Sequence, residues 1–175
     1  LPTAPLVTSH PTTTPAATGA GLSKTKGSAS SKTPAIVAPT PTSTSVASPR
    51  TLHVGANQAI RSISVAAAQA RDGDTIEVDA GNYLGDVTIW KQNNLTIRGV
   101  GGRPRLVATG VSAEGKAIWV MRGGNITVEN IEFTGARVPD KNGAGIRFEK
   151  GHLTVRNCRF LDNENGILTN NDGGI

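Results

Sequence analysis

The sequence predicts an all-β solenoid, in which the chain winds into stacked coils of short parallel strands. A similar motif returns about every 27 to 31 residues, as LTIRGV at 95, ITVENIEF at 126 and LTVRNCRF at 153. In each copy apolar residues occupy alternate positions, and this alternation slips by one residue at a Gly or an Asn. Such repeats are typical of coils that bury their apolar faces only by stacking on their neighbours.

Composition separates the first 50 residues from the rest. Residues 1–50 hold eight of the ten prolines, many Thr, Ser and Ala, and no acidic or aromatic residue. Such a segment buries too little apolar surface to offset its conformational entropy. We therefore predict a disordered linker or stalk over 1–50 and a single β-helix domain over 51–175, which is a usual domain length.

Charge is also unevenly distributed. Of the formal net charge of +5, the stalk carries +4, from three lysines and Arg50, whereas 51–175 has 14 basic and 13 acidic residues. A basic stalk could rest on an anionic polymer or membrane surface, or its lysines could simply keep a linker soluble. The near-neutral domain argues against nucleic-acid binding. No apolar run approaches the roughly 18 residues that a membrane-spanning helix needs.

A short helix is predicted at the start of the domain. Asn57 is its expected N-cap, the helix covers 58–70, and Arg71-Asp72-Gly73 ends it. Its narrow apolar stripe is formed by Ile60, Ile63, Ala67 and Ala70. We expect this stripe to cover the open first coil of the stack.

Three types of strand then recur, after a half-buried strand within 73–83. First-type strands are VTIW at 87, AIWVM at 117, GIRF at 145 and GILT at 166. Second-type strands are LTIR at 95, ITVE at 126 and LTVR at 153, and third-type strands are RLVA at 105, IEF at 131 and CRF at 158. The chain stops at NNDGGI directly after a first-type strand, so we expect further C-terminal coils to be missing and the sequence to be a piece of a longer protein.

The alternation assigns each side chain to the core or to the outer face. The expected inward columns are Ile89, Val120, Phe148 and Thr169; Leu95, Ile126 and Leu153; and Ile97, Val128 and Val155. The threonines between the last two columns face outward. The expected outward columns of the first-type strands are Thr88, Trp119, Arg147 and Leu168, and beside them Trp90, Met121, Glu149 and Asn170.

Gly99, Asn130 and Asn157 occupy one position in successive coils, where the second strand bends into the third. A left-handed backbone conformation there is open to Gly without steric cost and to Asn at a small one. The two asparagines can also pair their side-chain amides along the stack. We predict a structural role for this column, with sugar or metal binding as the alternative.

These segments carry a resemblance to a known family. The helix, DGDTIEVDAGNY, NLTIRGVGG, NITVENIEF and HLTVRNCRFLDNENGILTNND together resemble the start of a right-handed parallel β-helix protein of the pectin lyase-like superfamily, over residues 51–175. The resemblance implies right-handed coils and a secreted or cell-envelope protein that acts on acidic or neutral polysaccharide. It also implies a groove on the outer face of the first-type strands.

Trp90 and Trp119 are the candidate substrate-binding residues, because both are expected on that outer face. An exposed indole offers an apolar face and a polar edge, which suits stacking on a sugar ring. The alternative is that either tryptophan lies under a long loop, at 108–116 or 136–143.

Four residues are candidate catalytic groups: Arg147, Glu149, Asp162 and Glu164. A lyase needs a basic residue with nearby cations or Ca²⁺, and a hydrolase needs clustered carboxylates. Arg147 and Glu149 share the outward face, whereas Asp162 and Glu164 belong to DNENG, which is also typical of a solvated turn.

No cofactor is evident from the sequence. Asp162, Asp172, Asn170 and Asn171 offer oxygens for Ca²⁺, but no specific calcium motif is present. His10, His53 and His152 are scattered without zinc spacing, so no metal ligand is assigned.

The sequence therefore leaves two functions open. One is a polysaccharide lyase, C5-epimerase or hydrolase, present here as a fragment. The other is a non-catalytic module for carbohydrate binding, adhesion or structural spacing. Fold alone does not decide between them.

Overall fold

A computed structural model describes residues 48–170 and 173–174 of the chain. All but the last three residues of the predicted stalk lie outside this part. In chain order the elements are β1 (Thr51–Val54), α1 (Ile63–Gln69), β2 (Thr75–Asp79), β3 (Asn82–Leu84), β4 (Thr88–Trp90), β5 (Leu95–Val100), β6 (Arg105–Val107), β7 (Ala117–Met121), β8 (Asn125–Glu129), β9 (Glu132–Thr134), β10 (Ala144–Phe148), β11 (Gly151–Arg156), β12 (Arg159–Leu161), β13 (Asn165–Thr169) and β14 (Gly173–Gly174).

The strands form three parallel sheets, which confirms the predicted solenoid. The second-type sheet has the order β1-β2-β5-β8-β11-β14, the first-type sheet β4-β7-β10-β13 and the third-type sheet β3-β6-β9-β12. Successive turns of the chain add one strand to each sheet, and the pairing is parallel throughout. Strands β1, β3 and β14 were not predicted, because each is short: β1 alternates Leu52 and Val54 with polar residues but has only four residues, and the other two have three and two.

The predicted register of the second-type sheet is confirmed. Leu95 pairs with Ile126 and Ile126 with Leu153, while Ile97, Val128 and Val155 form the next row. Ile97 and Val128 are fully buried. On the outer face five threonines align along the stack, namely Thr51, Thr75, Thr96, Thr127 and Thr154.

The bend after the second-type strands is confirmed for the asparagines only. Asn130 and Asn157 have φ of 55° and 50°, and the Asn157 amide donates to the Asn130 Oδ1 at 3.4 Å. Gly99 does not adopt a left-handed conformation, so that expectation was wrong. A Cβ on Gly99 would lie 2.3 Å from the Asn130 carbonyl oxygen, so glycine is required there by the close approach of the next coil.

The helix begins six residues after the predicted N-cap. The segment after Gly55 instead turns back, with the Gly55 N–H donating to the Ile60 carbonyl at 3.0 Å and Ile60 bridging to Val54. Ser62 is the N-cap, and its hydroxyl accepts from the Val65 N–H. Ile63, Ala66 and Ala67 are the buried residues of α1.

The first-type sheet departs from the prediction by one residue. The pairing of β4 with β7 and that of β10 with β13 are as expected. Between β7 and β10, however, Val120 pairs with Arg147 and Met121 with Phe148, instead of Val120 with Phe148. Because a slip of one residue exchanges the two faces of a strand, the predicted facing of β4 and β7 was inverted.

Candidate functional site

The outer face of the first-type sheet carries two columns of side chains. One column consists of Ile89, Val120, Arg147 and Leu168. The positions directly after the paired strand ends form the other column, in which Arg122, Glu149 and Asn170 continue the backbone ladder. The face is apolar at Ile89 and Val120, which we call its lower part. It carries charges at Arg147 and Glu149, which we call its upper part.

Trp90 and Trp119 do not lie on that face, so the predicted sugar platform was wrong. Both side chains are fully buried, and their rings meet edge to face at 5.4 Å between centroids. Trp119 also contacts Phe133 at 5.0 Å, and Phe133 stacks on Phe160 at 5.1 Å. The row of aromatic rings thus crosses the core from the first-type to the third-type sheet, and an indole without exposed surface cannot stack on a sugar.

The insertion at 108–116 covers part of the outer face. It folds back along β7, because the Ala113 N–H donates to the Ala117 carbonyl at 2.7 Å and the Lys116 N–H to the Ala113 carbonyl at 3.0 Å. Ala113 packs with Ala117, Val120 and Ala144 in a small apolar cluster outside the main core. Strand β7 is consequently buried on both faces.

Four charges fasten this insertion to the strand ends. Lys116 Nζ lies 2.8 Å from Glu149 Oε1, and Arg122 pairs with both Glu149 and Glu114. The hydrogen bond from Arg122 is the largest influence on the pKa of Glu149; together with the hydrogen bond from Lys116 and the charges of both cations it outweighs desolvation and lowers this pKa to about 2. The candidate acid Glu149 is therefore a firmly ionised carboxylate between two cations.

Arg147 lies beside the same insertion. Its Nη2 donates to Asn170 Oδ1 at 2.6 Å, while its Nε–H is buried without an acceptor in the described part of the chain. Leaving such a group unpaired costs about 1–3 kcal/mol. Arg147 lines a cavity of about 160 Å³ whose other walls are Gly115, Lys116, Asp140, Asn142 and Leu168.

Asp162 and Glu164 have partners in another loop. Glu164 Oε2 accepts from the backbone N–H groups of Val138 at 3.1 Å and Gly143 at 2.7 Å. Asp162 has φ of 53°, as expected for a turn, and pairs with Arg137. Both carboxylates hold the 136–143 loop in place, and neither contacts Arg147 or Glu149.

The oxygens considered for Ca²⁺ are engaged with arginines where they are described. Asn170 Oδ1 accepts from Arg147, and Asp162 pairs with Arg137. Asn171 and Asp172 lie outside the described residues. Within 48–170 and 173–174, no three His, Cys, Asp or Glu side chains lie close enough together to hold a metal ion.

A second, larger cavity was not predicted from the sequence. It measures about 520 Å³ and lies on the lower, apolar part of the outer face, between α1, the β4 segment and the tip of the 108–116 insertion. Its walls are formed by Ser64, Ala67, Ala68, Val87, Thr88, Ile89, Lys91, Gln92 and Ala113. The predicted helix includes Ser64, Ala67 and Ala68, but its apolar stripe was expected to cover the first coil, so a cavity beside β4 was not indicated.

The fold and these two cavities define a parallel β-solenoid with an outer face partly covered by an insertion. Comparisons of the chain with protein-family models, with characterised proteins and with solved structures find no match. No helix in the described part of the chain is long and apolar enough to cross a membrane.

Proposed function

We propose that this protein is a secreted or cell-envelope β-helix domain that binds polysaccharide on the outer face of its first-type sheet. The observation that carries the proposal is the cavity of about 160 Å³, in which Arg147 stands beside Asp140 and Asn142, while Lys116 on its wall is paired with Glu149. Arginine binds carboxylates, and amide and carboxylate groups bind sugar hydroxyls. The expected ligand is therefore a polysaccharide with acidic units.

The position of the Arg147 guanidinium gives this cavity further weight. The Asn170 hydrogen bond at 2.6 Å fixes the guanidinium. A fixed guanidinium loses less conformational entropy when a carboxylate binds.

The surrounding carboxylates favour binding over acid–base catalysis. Glu149 has a pKa of about 2 and is paired with Lys116 and Arg122, so it is not a proton donor near neutral pH. Glu164 accepts two backbone hydrogen bonds, and Asp162 is paired with Arg137. We therefore prefer the non-catalytic alternative to a lyase, an epimerase or a hydrolase. The pectin lyase-like relationship and the right hand of the coils remain part of the proposal.

Calorimetric titration with oligogalacturonate and with an uncharged xylo-oligosaccharide tests the proposal. We expect binding of the acidic oligomer and a loss of at least about tenfold in its affinity in Arg147→Gln, because a charge-assisted contact is removed. The matched control is Arg156→Gln, which removes an arginine from the outer face of the second-type sheet. No binding of either oligomer would favour a spacer role, and formation of an unsaturated product would establish a lyase.

The predicted stalk supports the proposed location. Its basic residues would bring the chain to an anionic envelope polymer or membrane surface. Release of the full chain from isolated cell envelopes by moderate salt, but not by mild detergent, is the expected result. Release that requires detergent would contradict this electrostatic association.

A further inference from the structure

The cavity of about 520 Å³ beside α1 has firm walls. On one side of β4, the Asp86 carboxylate accepts from the Ile63 N–H at 2.5 Å and the Ser64 N–H at 2.9 Å, which holds the first turn of the helix. On the other side, Gln92 Nε2 donates to the carbonyls of Ala67 at 3.0 Å and Ala70 at 3.2 Å, which holds the last turn. Both helix ends are thus bonded to the segment that they face, and the space between is preformed.

The floor of this cavity is apolar. Val87 and Ile89 line it from the strand, and the methyl groups of Ala67 and Ala113 line it from the helix and the insertion. Val87 and Ile89 remain partly exposed although they pack against Ala113. Removal of this surface from water is favourable at about 25 cal/mol per Å². The volume lies within the range of about 300–1,000 Å³ that is usual for small-molecule sites.

One charged residue lines this cavity. It is the exposed Lys91; the Asp86 carboxylate, which binds the first turn of α1 beside the cavity, does not line it. Lys91 is in none of the ion pairs formed within the described part of the chain. The side-chain amide of Gln92 donates to the carbonyls of α1 and accepts from the Lys91 N–H, so it does not pair with the Lys91 ammonium group. An apolar floor with one cation at its edge is complementary to an anion that carries an apolar body.

From this geometry we propose that the cavity between α1 and β4 binds a small amphipathic carboxylate, with the apolar part on Val87, Ile89 and Ala113 and the acid group at Lys91. This site is separate from the Arg147 cavity. The 108–116 insertion lies between them, because Ala113 lines the larger cavity and Gly115 and Lys116 line the smaller one. The proposal therefore does not depend on polysaccharide binding.

Titration of the full chain with decanoate below its aggregation concentration tests the site. We expect one equivalent to bind, with weaker binding of decanol and no measurable binding of acetate, because both the charge and the apolar body are needed. Shortening the chain from decanoate to octanoate removes two methylenes. Affinity is then expected to fall by up to about fourfold for each methylene that leaves the pocket.

Two variants locate the binding. Lys91→Gln is expected to weaken decanoate about two- to fivefold, as for an exposed ion pair, and Lys150→Gln is the control that removes an exposed lysine elsewhere. Ala68→Leu is expected to weaken decanoate by at least about tenfold, because its larger side chain narrows the cavity that Ala68 lines and leucine preserves the helix. Gln69→Leu adds the same side chain at an exposed helix position outside the cavity.

Equal affinities for decanoate and decanol, or unchanged binding in Ala68→Leu, would overturn the proposal. Unchanged binding in that variant would place the ligand on another apolar surface, of which the exposed Leu84 is the clearest in the described residues. Arg147→Gln must leave decanoate binding intact. The two cavities then give separate results, so failure of the polysaccharide proposal is distinguishable from failure of this one.

Discussion

Val128→Asp is the sharpest test of how the coils stack. Val128 is fully buried and pairs with Ile97 on one side and Val155 on the other. The substitution removes about 1.5–3 kcal/mol of apolar burial. It also places a carboxylate without a partner in the core, at an effective penalty of several kcal/mol. The sum exceeds about 4 kcal/mol, a large fraction of the 5–15 kcal/mol that stabilises an ordinary domain.

Thr127→Asp is the matched control, because the neighbouring residue faces outward between Thr96 and Thr154. Thermal and urea unfolding followed by circular dichroism should show a change within about 0.5 kcal/mol for the control. They should show a domain that is unfolded, or whose midpoint is about 15 °C lower or more, for Val128→Asp. Burial raises the pKa of the introduced carboxyl above its unfolded value of about 3.9, so its destabilisation must grow as pH rises above that value. Equal melting of the two variants would refute the register.

Three further predictions concern the outer face and the core. The pKa of Glu149 is lowered from 4.5 to about 2, so the ionised carboxylate stabilises the fold by about 1–2 kcal/mol after screening; this stabilisation is present above pH 4.5 and is lost as the pH falls towards 2. Glu149→Gln should flatten this part of the acid-unfolding curve, and an unchanged curve would contradict the ion network. Trp119→Ala should lower the free energy of unfolding by about 3–5 kcal/mol. In the unchanged protein, iodide should quench tryptophan emission far less in the native state than in the urea-unfolded chain, and equal quenching would mean that the indoles are exposed. Asn130→Ala removes the side-chain amide that donates to the Gly99 and Gly102 carbonyls, and it places alanine in a left-handed backbone conformation that is unfavourable for it. Asn130→Gly removes the same amide without that strain, so urea unfolding should show a larger loss of stability for Asn130→Ala than for Asn130→Gly. The reverse order would exclude backbone strain as the cause.

The second-type sheet could be predicted from the sequence because its strands face water on one side. Leu95, Ile97, Ile126 and Val128 alternate with threonines and charged residues, and this period fixes both facing and register. The asparagine bends were predictable for the same reason, because an asparagine, Asn130 and then Asn157, follows the alternating run at the same place in successive coils. Tertiary contacts override neither pattern.

The helix start was missed because its strongest signal is not local. Asn57 is a good N-cap by residue type. Asp86, however, binds the first two N–H groups of the real helix from 23 and 22 residues away. Ile60 belongs to the apolar stripe of the predicted helix, but in the structure it extends the strand pairing at Val54. The helix begins where the local N-cap Ser62 and the contact from the distant Asp86 coincide.

The error in the first-type sheet has a cause that also explains the candidate site. Strand β7, AIWVM, is buried on both faces, and a strand covered on both faces reads as a continuous apolar run. With no alternation to define a facing, Val120 could be aligned with Phe148 as well as with its true partner Arg147. That loss of alternation was itself a signal, since a solenoid strand has an apolar outer face only where another segment covers it. The covering segment is the 108–116 insertion, which contributes Ala113 to one cavity and Lys116 to the other. The strand whose facing the sequence could not define therefore lies beneath the insertion that contributes to both cavities.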